Sequence, residues 1–384
     1  MKILNSLYYY RPHYSGLTVY TERLARALVA RGHQVTVLTS QYDKSLPAQE
    51  QVDGVDVFRM KVAWTVSKGP IMPSFPYWAV KLAKSHDLVH LHIPQLDAAP
   101  FSIGTKILGK PIVLTYHCDL RLPTTITNRV ANFLSDVANR LSVRSADVIV
   151  ANSRDYAEHS AILNKNLEKL HVIPPPIEVP EVTAEAIGKL RSRFNIKDDR
   201  PLIGMAARLA SEKGAEFLAQ AMPVILERYP NARVLYMGQY EDVLGEGAYR
   251  ERLTPTITSL GPHWTFLGSL PGDELAAFYS ICDVTVLPSL NSTESFGMVQ
   301  VESMYCGTPV VASDIPGVRR PTQVTGMGLF SPPGDAGRLA QSILEILDNP
   351  DRFRRPLEQI AARYSTGTVA SQYEDLYEEL LAKN

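Results

Sequence analysis

Two stretches decide the architecture: His171-Val172-Ile173-Pro174-Pro175-Pro176, and the later Pro201-Leu202-Ile203-Gly204-Met205. The first closes a series of short apolar runs on a proline segment that is stiff and short of backbone donors, the composition of a linker. Working back from it, strand-like runs stand at Lys2-Ile3-Leu4, Gln34 to Leu38, Asp87 to Leu91, Pro111 to Thr115 and Asp147 to Ala151. Working forward, they resume at Arg233 to Met237, Trp264 to Leu267, Val284 to Leu287 and Pro309 to Ala312. Amphipathic stretches such as Thr18 to Arg31, with Val19, Leu24, Ala27 and Leu28 near a 3.6-residue period, lie between the runs. Short β-rich runs without internal alternation, separated by helices, predict parallel sheets covered on both faces. The fold class expected is α/β, with two doubly wound parallel-sheet domains at 1–176 and 177–365. An acidic C-terminal helix follows at 366–384, packing back toward the first domain through Val369, Tyr373, Leu376, Tyr377, Leu380 and Leu381.

Composition narrows the function classes. The chain has 384 residues, 45% hydrophobic and 21% charged, which fits a globular protein of two domains. Its formal net charge of −1 hides an asymmetry, because residues 1–176 carry 20 Lys+Arg against 13 Asp+Glu. An anionic partner suits the first half, and the acidic second half argues against nucleic acid. No apolar run approaches the roughly 18 residues of a membrane span, and Met1-Lys2-Ile3-Leu4 has no signal-peptide pattern, so a cytoplasmic location is expected. Cys118, Cys282 and Cys306 are too scattered for a disulfide framework or a CxxC metal site.

Four segments carry chemistry. Asn291 to Glu302 follows a strand and runs into an apolar helix. There Ser292, Thr293 and Glu294 offer capping, Gly297 lets a ligand approach the backbone, and the amides of Phe296, Gly297, Met298 and Val299 make a phosphate-binding helix start. Glu294 and Glu302, eight apart, share a broad side of the helix about two turns apart. Ionised carboxylates accept hydrogen bonds from sugar and ribose hydroxyls. Ala207 to Gly214 leaves a strand for a helix, with Arg208 and Lys213 able to converge on one diphosphate. Tyr14 to Thr18, after the first strand, brings small residues and Gly16 to another helix start. His117, in Leu114 to Asp119, sits at the carboxyl end of a buried strand, where it can donate to a substrate hydroxyl or exchange a proton near neutral pH.

Together these pieces resemble the retaining, nucleotide-sugar-dependent glycosyltransferases built from two facing Rossmann-like domains, the GT-B group, family 4. The shared motifs are Glu294-x7-Glu302 with Phe296-Gly297 inside, the run Arg208 to Gly214, and Ala312 to Gly317. The resemblance implies an acceptor domain, a donor domain and a site in the cleft between them. It implies that Arg208 and Lys213 hold the donor diphosphate and that Glu294 binds the donor-sugar hydroxyls, with the amides from Phe296 to Val299 close by. It further implies that Glu302 binds the ribose, that Gly16 lies against the diphosphate, that His117 contacts the sugar near its anomeric centre, and that backbone from Gly268 to Leu270 meets the base. Departures are mild: Ser15 replaces a glycine often paired with Gly16, and Ala207 stands where a glycine often precedes the arginine.

The reaction implied moves a sugar, with retention, from a UDP- or GDP-sugar to a hydroxyl of a glycan, glycolipid or small polyol, in envelope polysaccharide or glycolipid biosynthesis. Arg208, Lys213 and helix-end amides stabilise the departing diphosphate. No cofactor is expected, and no metal, because the sequence contains no Asp-x-Asp. Rival readings are a nucleotide-sugar 2-epimerase of similar architecture and a non-catalytic nucleotide-sugar-binding subunit. Two apparent motifs fail. Gly104 to Lys110 imitates a P-loop but enters a strand instead of leaving one, and His90 with His92 lacks a third metal ligand. Asn128 to Arg144 reads as an amphipathic helix whose stripe of Val130, Phe133, Leu134, Val137 and Leu141 either faces the core or, with Arg129, Arg140 and Arg144, meets a membrane surface. Aromatics at Tyr8 to Tyr14, Trp64 and Phe75 to Trp78 are candidates for stacking on an acceptor, and the loop Val62 to Tyr77 is a candidate for acceptor choice.

Overall fold

The structure is a computed structural model describing residues 1–66, 69–120, 126–197 and 201–383. It divides into one unit of Met1–Pro176 with Tyr364–Asn384 and a second of Ile177–Arg363. In the first unit the strands are β1 (Lys2–Ser6), β2 (Gln34–Gln41), β3 (Gln49–Val52), β4 (Val55–Lys61), β5 (Trp64–Val66), β6 (Gly69–Ile71), β7 (Leu88–Ile93), β8 (Ile112–Tyr116), β9 (Val148–Ala151) and β10 (Leu170–Val172). Eight form one sheet in the order β10-β9-β8-β7-β1-β2-β4-β3, parallel except for the β3/β4 edge pair, while β5 and β6 make a separate ribbon. Strands β7 and β8 are buried at every residue, as the unbroken apolar runs required. The helices are α1 (Gly16–Ala30), α2 (Phe75–Ser85), α3 (Ala98–Ile107), α4 (Ile126–Ser145), α5 (Arg154–His159) and the C-terminal helix Thr366–Ala382.

Helix α1 starts at Gly16, two residues before the apolar period, because Ser15 Oγ accepts from the Thr18 amide at 3.2 Å as an N-cap. The C-terminal helix is capped in the same way by Ser365 and buries Val369, Ala370, Tyr373, Leu376, Tyr377 and Leu380. The Tyr373 hydroxyl lies 2.6 Å from that of Tyr20 on α1. Glu374 accepts from Arg31 Nε at 2.7 Å and lies 2.8 Å from His33 Nε2.

The second unit holds β11 (Leu202–Ala206), β12 (Arg233–Met237), β13 (Trp264–Gly268), β14 (Val284–Leu287), β15 (Val310–Ser313) and β16 (Gly328–Ser331), all parallel in the order β13-β12-β11-β14-β15-β16. Its helices include α6 (Ala184–Arg193), α7 (Ala215–Arg228), α8 (Gly247–Ser259), α9 (Gly272–Ile281) and α10 (Met298–Tyr305). In both sheets the chain winds outward from a central strand and then returns to the other side of it, so the order reverses at β1/β7 and at β11/β14. Open α/β sheets open a crevice beyond the carboxyl ends of such strands. The two doubly wound sheets are those expected from the sequence.

The stripe on α4 faces outward. Phe133 is 67% exposed, Leu134 49%, Val137 40% and Leu141 40%, while Ser135, Ala138, Asn139, Ser142 and Val143 turn inward. The core-facing alternative is therefore corrected: small and polar residues let this helix lie close to the sheet, leaving the bulkier apolar side chains in solvent beside exposed Arg129, Arg140 and Arg144. The Val130 side chain and residues 67–68 of the Val62 to Tyr77 loop lie outside the described residues. Among the described residues no helix is long and apolar enough to cross a membrane.

Candidate active site

At the β11/β14 reversal two loops lock together. The loop after β11 carries Arg208, makes a single 3-10 turn over Ser211–Lys213 and enters α7 through Gly214. Gly214 has φ +70°, and a Cβ there would stand 2.1 Å from the Pro288 carbonyl oxygen after β14, so only glycine fits. The Leu290 amide donates to the Glu212 carbonyl at 2.9 Å, closing the seam. Across it Lys213 Nζ donates to Glu294 Oε2 at 2.7 Å, with both side chains about one-fifth exposed. Arg208 is a little under half exposed, its Nη2 3.3 Å from Glu212 Oε1.

Gly297 sets the next step. Its φ of +77° makes it the αL N-cap of α10, and an added Cβ would meet Leu287 Cδ2 at 2.2 Å. Helix α10 therefore begins at Met298, without a side-chain cap, leaving its first N–H groups unsatisfied by side chains. Two expectations are corrected here. Glu294 lies in the loop before the helix, where Thr293 donates its amide to Asn291 Oδ1 at 3.0 Å, so helical spacing does not relate it to Glu302. Nor do Ser292, Thr293 or Glu294 cap α10, because the chain still has to turn at Gly297 before the helix starts. Phe296 is buried, and its carbonyl accepts from Gln300 Nε2, which also reaches the Val318 carbonyl at 2.9 Å.

Glu302 points inward, 7% exposed, and accepts from the Tyr279 hydroxyl at 3.1 Å. Burial and this neighbouring carboxylate push the Cys306 thiol up to about 12. Leu270, after β13, packs partly buried on the cluster of Met237, Leu267 and Tyr279 that Val299 also touches. Arg208, Lys213, Glu294, Gly297, Met298 and Val299 thus flank one sheet reversal, Glu302 lies within α10, and Leu270 follows β13.

In the first unit Gly16 heads α1 with Ser15 as its cap, so the hydroxyl that replaces a glycine is engaged, Ser15 Oγ lying 3.0 Å from Thr18 Oγ1. His117 follows β8, its amide donating to the Ile93 carbonyl at 3.0 Å. The turn beyond is pinned by Asp119, which accepts from Tyr116 Oη at 2.6 Å and Ser160 Oγ at 2.9 Å. Burial pushes the His117 imidazole down to about 3. Burial thus favours the neutral ring near pH 7, against the proton exchange expected from the sequence. Sequence reasoning missed its neighbours. His92 Nδ1 lies 3.1 Å from His117 Nε2, and Tyr20 sets its ring edge against His117 at 4.8 Å. The His90-x-His92 pair, alternating on one strand, is the available signal in the sequence. Among the described residues no group of three His, Cys, Asp or Glu is placed to hold a metal ion.

Comparison with known proteins agrees with this layout. The family pattern for glycosyl transferases group 1 matches residues 187–364, and that for glycosyltransferase family 4 matches residues 14–180. An uncharacterized glycosyltransferase of Methanocaldococcus jannaschii is 29% identical over 98% of this chain and 98% of its own. The 2-deoxystreptamine N-acetyl-D-glucosaminyltransferase of Streptomyces fradiae is 30% identical over 74% of this chain and 69% of its own. Among solved structures, HepE of Anabaena in complex with UDP-glucose superposes with TM-score 0.78 at 22% identity, covering 99% of this chain and 100% of that one. Two doubly wound sheets in one chain and two family patterns, one for each half, give a single conclusion: the chain belongs to the group 1 glycosyltransferases of family 4 and has the GT-B fold.

Proposed function

We propose that the protein is a retaining, metal-independent hexosyltransferase moving a sugar from a UDP- or GDP-sugar to a hydroxyl of a glycan, glycolipid or small polyol, in cytoplasmic assembly of envelope polysaccharide or glycolipid. The observation that carries this reading is the Lys213–Glu294 pair at 2.7 Å. It sets a cation and a hydroxyl-accepting carboxylate side by side at a sheet reversal, next to a helix start without a side-chain cap. A donor sugar phosphate presents a matching pair of groups, an anionic diphosphate beside hydroxyl donors.

In this reading Arg208 and Lys213 neutralise the departing nucleoside diphosphate, with the amides from Phe296 to Val299 adding fixed dipoles. Glu294 orients the sugar hydroxyls, Glu302 takes the ribose, Leu270 borders the base, and Gly16 lets the first loop approach the phosphates. The acceptor hydroxyl attacks the anomeric carbon on the face the diphosphate leaves, forming the new C–O bond as the old one breaks, and its proton passes to a phosphate oxygen. His117 contributes a hydrogen bond near the anomeric centre. The relative named for action on 2-deoxystreptamine supports a small polyol as one acceptor class. The outward apolar stripe of α4 with Arg140 and Arg144 supports peripheral contact with an anionic membrane, where a lipid-linked acceptor would reside. Incubation with a panel of UDP- and GDP-sugars and mass-spectrometric detection of products tests the reading. Diphosphate release with sugar transfer supports it, and an altered sugar still joined to its nucleotide replaces it with epimerisation.

A further inference from the structure

Behind His117 lies a buried array of hydrogen-bonding rings that the proposed reaction does not use. Strand alternation builds it: His90 and His92 share one face of β7, Thr115 lies on β8 with His117 just beyond its end, and the register pairs His92 with Thr115 and Asn5 of β1 with His90. His92 stacks between the other two imidazoles, 4.2 Å from His90 and 5.3 Å from His117 by ring centres. His92 Nε2 lies 3.2 Å from Asn5 Oδ1. The C-terminal helix closes the array. Tyr377 Oη lies 2.7 Å from His90 Nδ1, His90 Nε2 is 2.7 Å from Thr115 Oγ1, and Thr115 Oγ1 is 2.9 Å from Tyr373 Oη, which meets Tyr20 Oη at 2.6 Å.

In the orientation the Asn5 amide takes here, with Oδ1 toward His92 and Nδ2 buried without a partner, the oxygen only accepts and so requires a proton on His92 Nε2. A neutral His92 then presents a bare Nδ1, and the 3.1 Å contact requires the proton to sit on His117 Nε2. The remaining ring nitrogen of His117, Nδ1, is left as an acceptor. We propose that His92 is a positioning residue which, fixed by Asn5, holds His117 as the Nε2–H tautomer so that its Nδ1 accepts from a substrate hydroxyl. The tyrosines of the C-terminal helix hold the stack from the opposite side through His90 and Tyr20. This assignment rests on the reading of His117 as a sugar-contacting residue for its effect on turnover. The tautomer itself rests only on the geometry.

The test has two parts. Ring-15N-labelled histidine in the wild-type protein at pH 7 reports each tautomer by NMR, the His117 signal being identified by its loss in His117→Gln. The expected signature is Nε2–H for both His117 and His92; an Nδ1–H His117 overturns the assignment whatever the activity of the His92 variants. His92→Phe keeps a ring but removes the acceptor, whereas His92→Asn keeps an amide oxygen near the former Nδ1. Relative to wild type, His92→Phe should lower kcat by up to about 100-fold through misplacement of His117, with the donor KM within twofold, and His92→Asn should recover most of the loss. A folded His92→Phe variant with kcat within twofold of wild type overturns the positioning role. A wild-type protein that shows the Nε2–H tautomer yet turns over no nucleotide sugar removes the transferase reading and leaves the tautomer standing, so the two failures are distinguishable.

Discussion

Lys213 and Glu294 stand 81 residues apart in sequence and 2.7 Å apart in space, joined by loops that share a seam at Gly214 and Pro288. Strands β11 and β14 are hydrogen-bonded neighbours, so the loops beyond their carboxyl ends meet by topology alone. On the proposed reading a bound diphosphate would exchange one anionic partner of Lys213, Glu294, for another. Lys213→Ala should therefore lower kcat about 10²–10³-fold, the range for losing one preorganised charge-stabilising donor, and Lys213→Arg should not restore it because the planar fork does not reproduce a point charge. Steady-state kinetics with the preferred donor read both.

Gly214→Ala tests the seam independently of chemistry. The substitution places a Cβ 2.1 Å from the Pro288 carbonyl oxygen at φ +70°, so the loop must move. Strained αL backbone alone costs about 1–3 kcal/mol, and the clash adds to it. Urea unfolding should show a loss above about 2 kcal/mol, with donor affinity falling as Lys213 separates from Glu294. An unchanged midpoint would contradict the packing described.

Tyr279→Phe removes the hydroxyl that donates to buried Glu302. A hydrogen bond to a charged group contributes about 1.5–3 kcal/mol, so stability should fall by that order. Nucleoside diphosphate affinity should weaken as well, because Glu302 loses a donor that orients it. Calorimetric titration with UDP and GDP, alongside thermal unfolding, checks both effects.

Acid should destabilise the first unit through its histidines. Burial and, for His90, neighbouring His117 push His90 down to about 3; burial alone pushes His117 down to about 3; burial and both neighbouring histidines place His92 well below its ordinary value. The unfolded chain binds protons at these sites near pH 6.5 and the folded chain does not, so stability falls as pH drops from about 6.5 toward 3. Each such histidine contributes a slope of about 1.4 kcal/mol per pH unit in the middle of that window. A His90→Gln variant should lose less stability than wild type between pH 6.5 and 4.5, as read by urea unfolding at each pH.

The α4 surface gives a binding prediction. Phe133→Ser with Leu134→Ser should abolish sedimentation with vesicles rich in anionic lipid while leaving thermal stability nearly unchanged, since both side chains are already exposed. Binding of the wild type should weaken with salt. Equal sedimentation of wild type and variant would remove the membrane contact.

Most of the fold was legible because buried parallel strands write themselves as uninterrupted apolar runs; β7, β8 and β11 are buried at every residue. The loop residues Arg208, Lys213, Glu294 and Gly297 were legible because strand-to-helix loops gather glycines and charges at fixed offsets. Helix starts were less so: Gly297 adopts αL and delays α10, a backbone choice that a run of capping residues does not reveal. The array behind His117 was illegible for a different reason. Tyr20 and Tyr373 are 353 positions apart, and Tyr377 reaches His90 across 287, so their apolar-looking periodicity carried no trace of the hydroxyl partners. On α4 the period was correct but the buried face was not. Serine, asparagine and alanine packed inward, against the rule that bulk decides which side is covered.

The most direct measurement is mass-spectrometric detection of products when the purified protein meets UDP- and GDP-sugars in the presence of EDTA, with glycan, polyol and lipid-extract acceptors. Retaining transfer releases a nucleoside diphosphate from one donor and gives a glycoside that keeps the donor's anomeric configuration. No release from any donor and acceptor pair, or inversion at the transferred sugar, would contradict it.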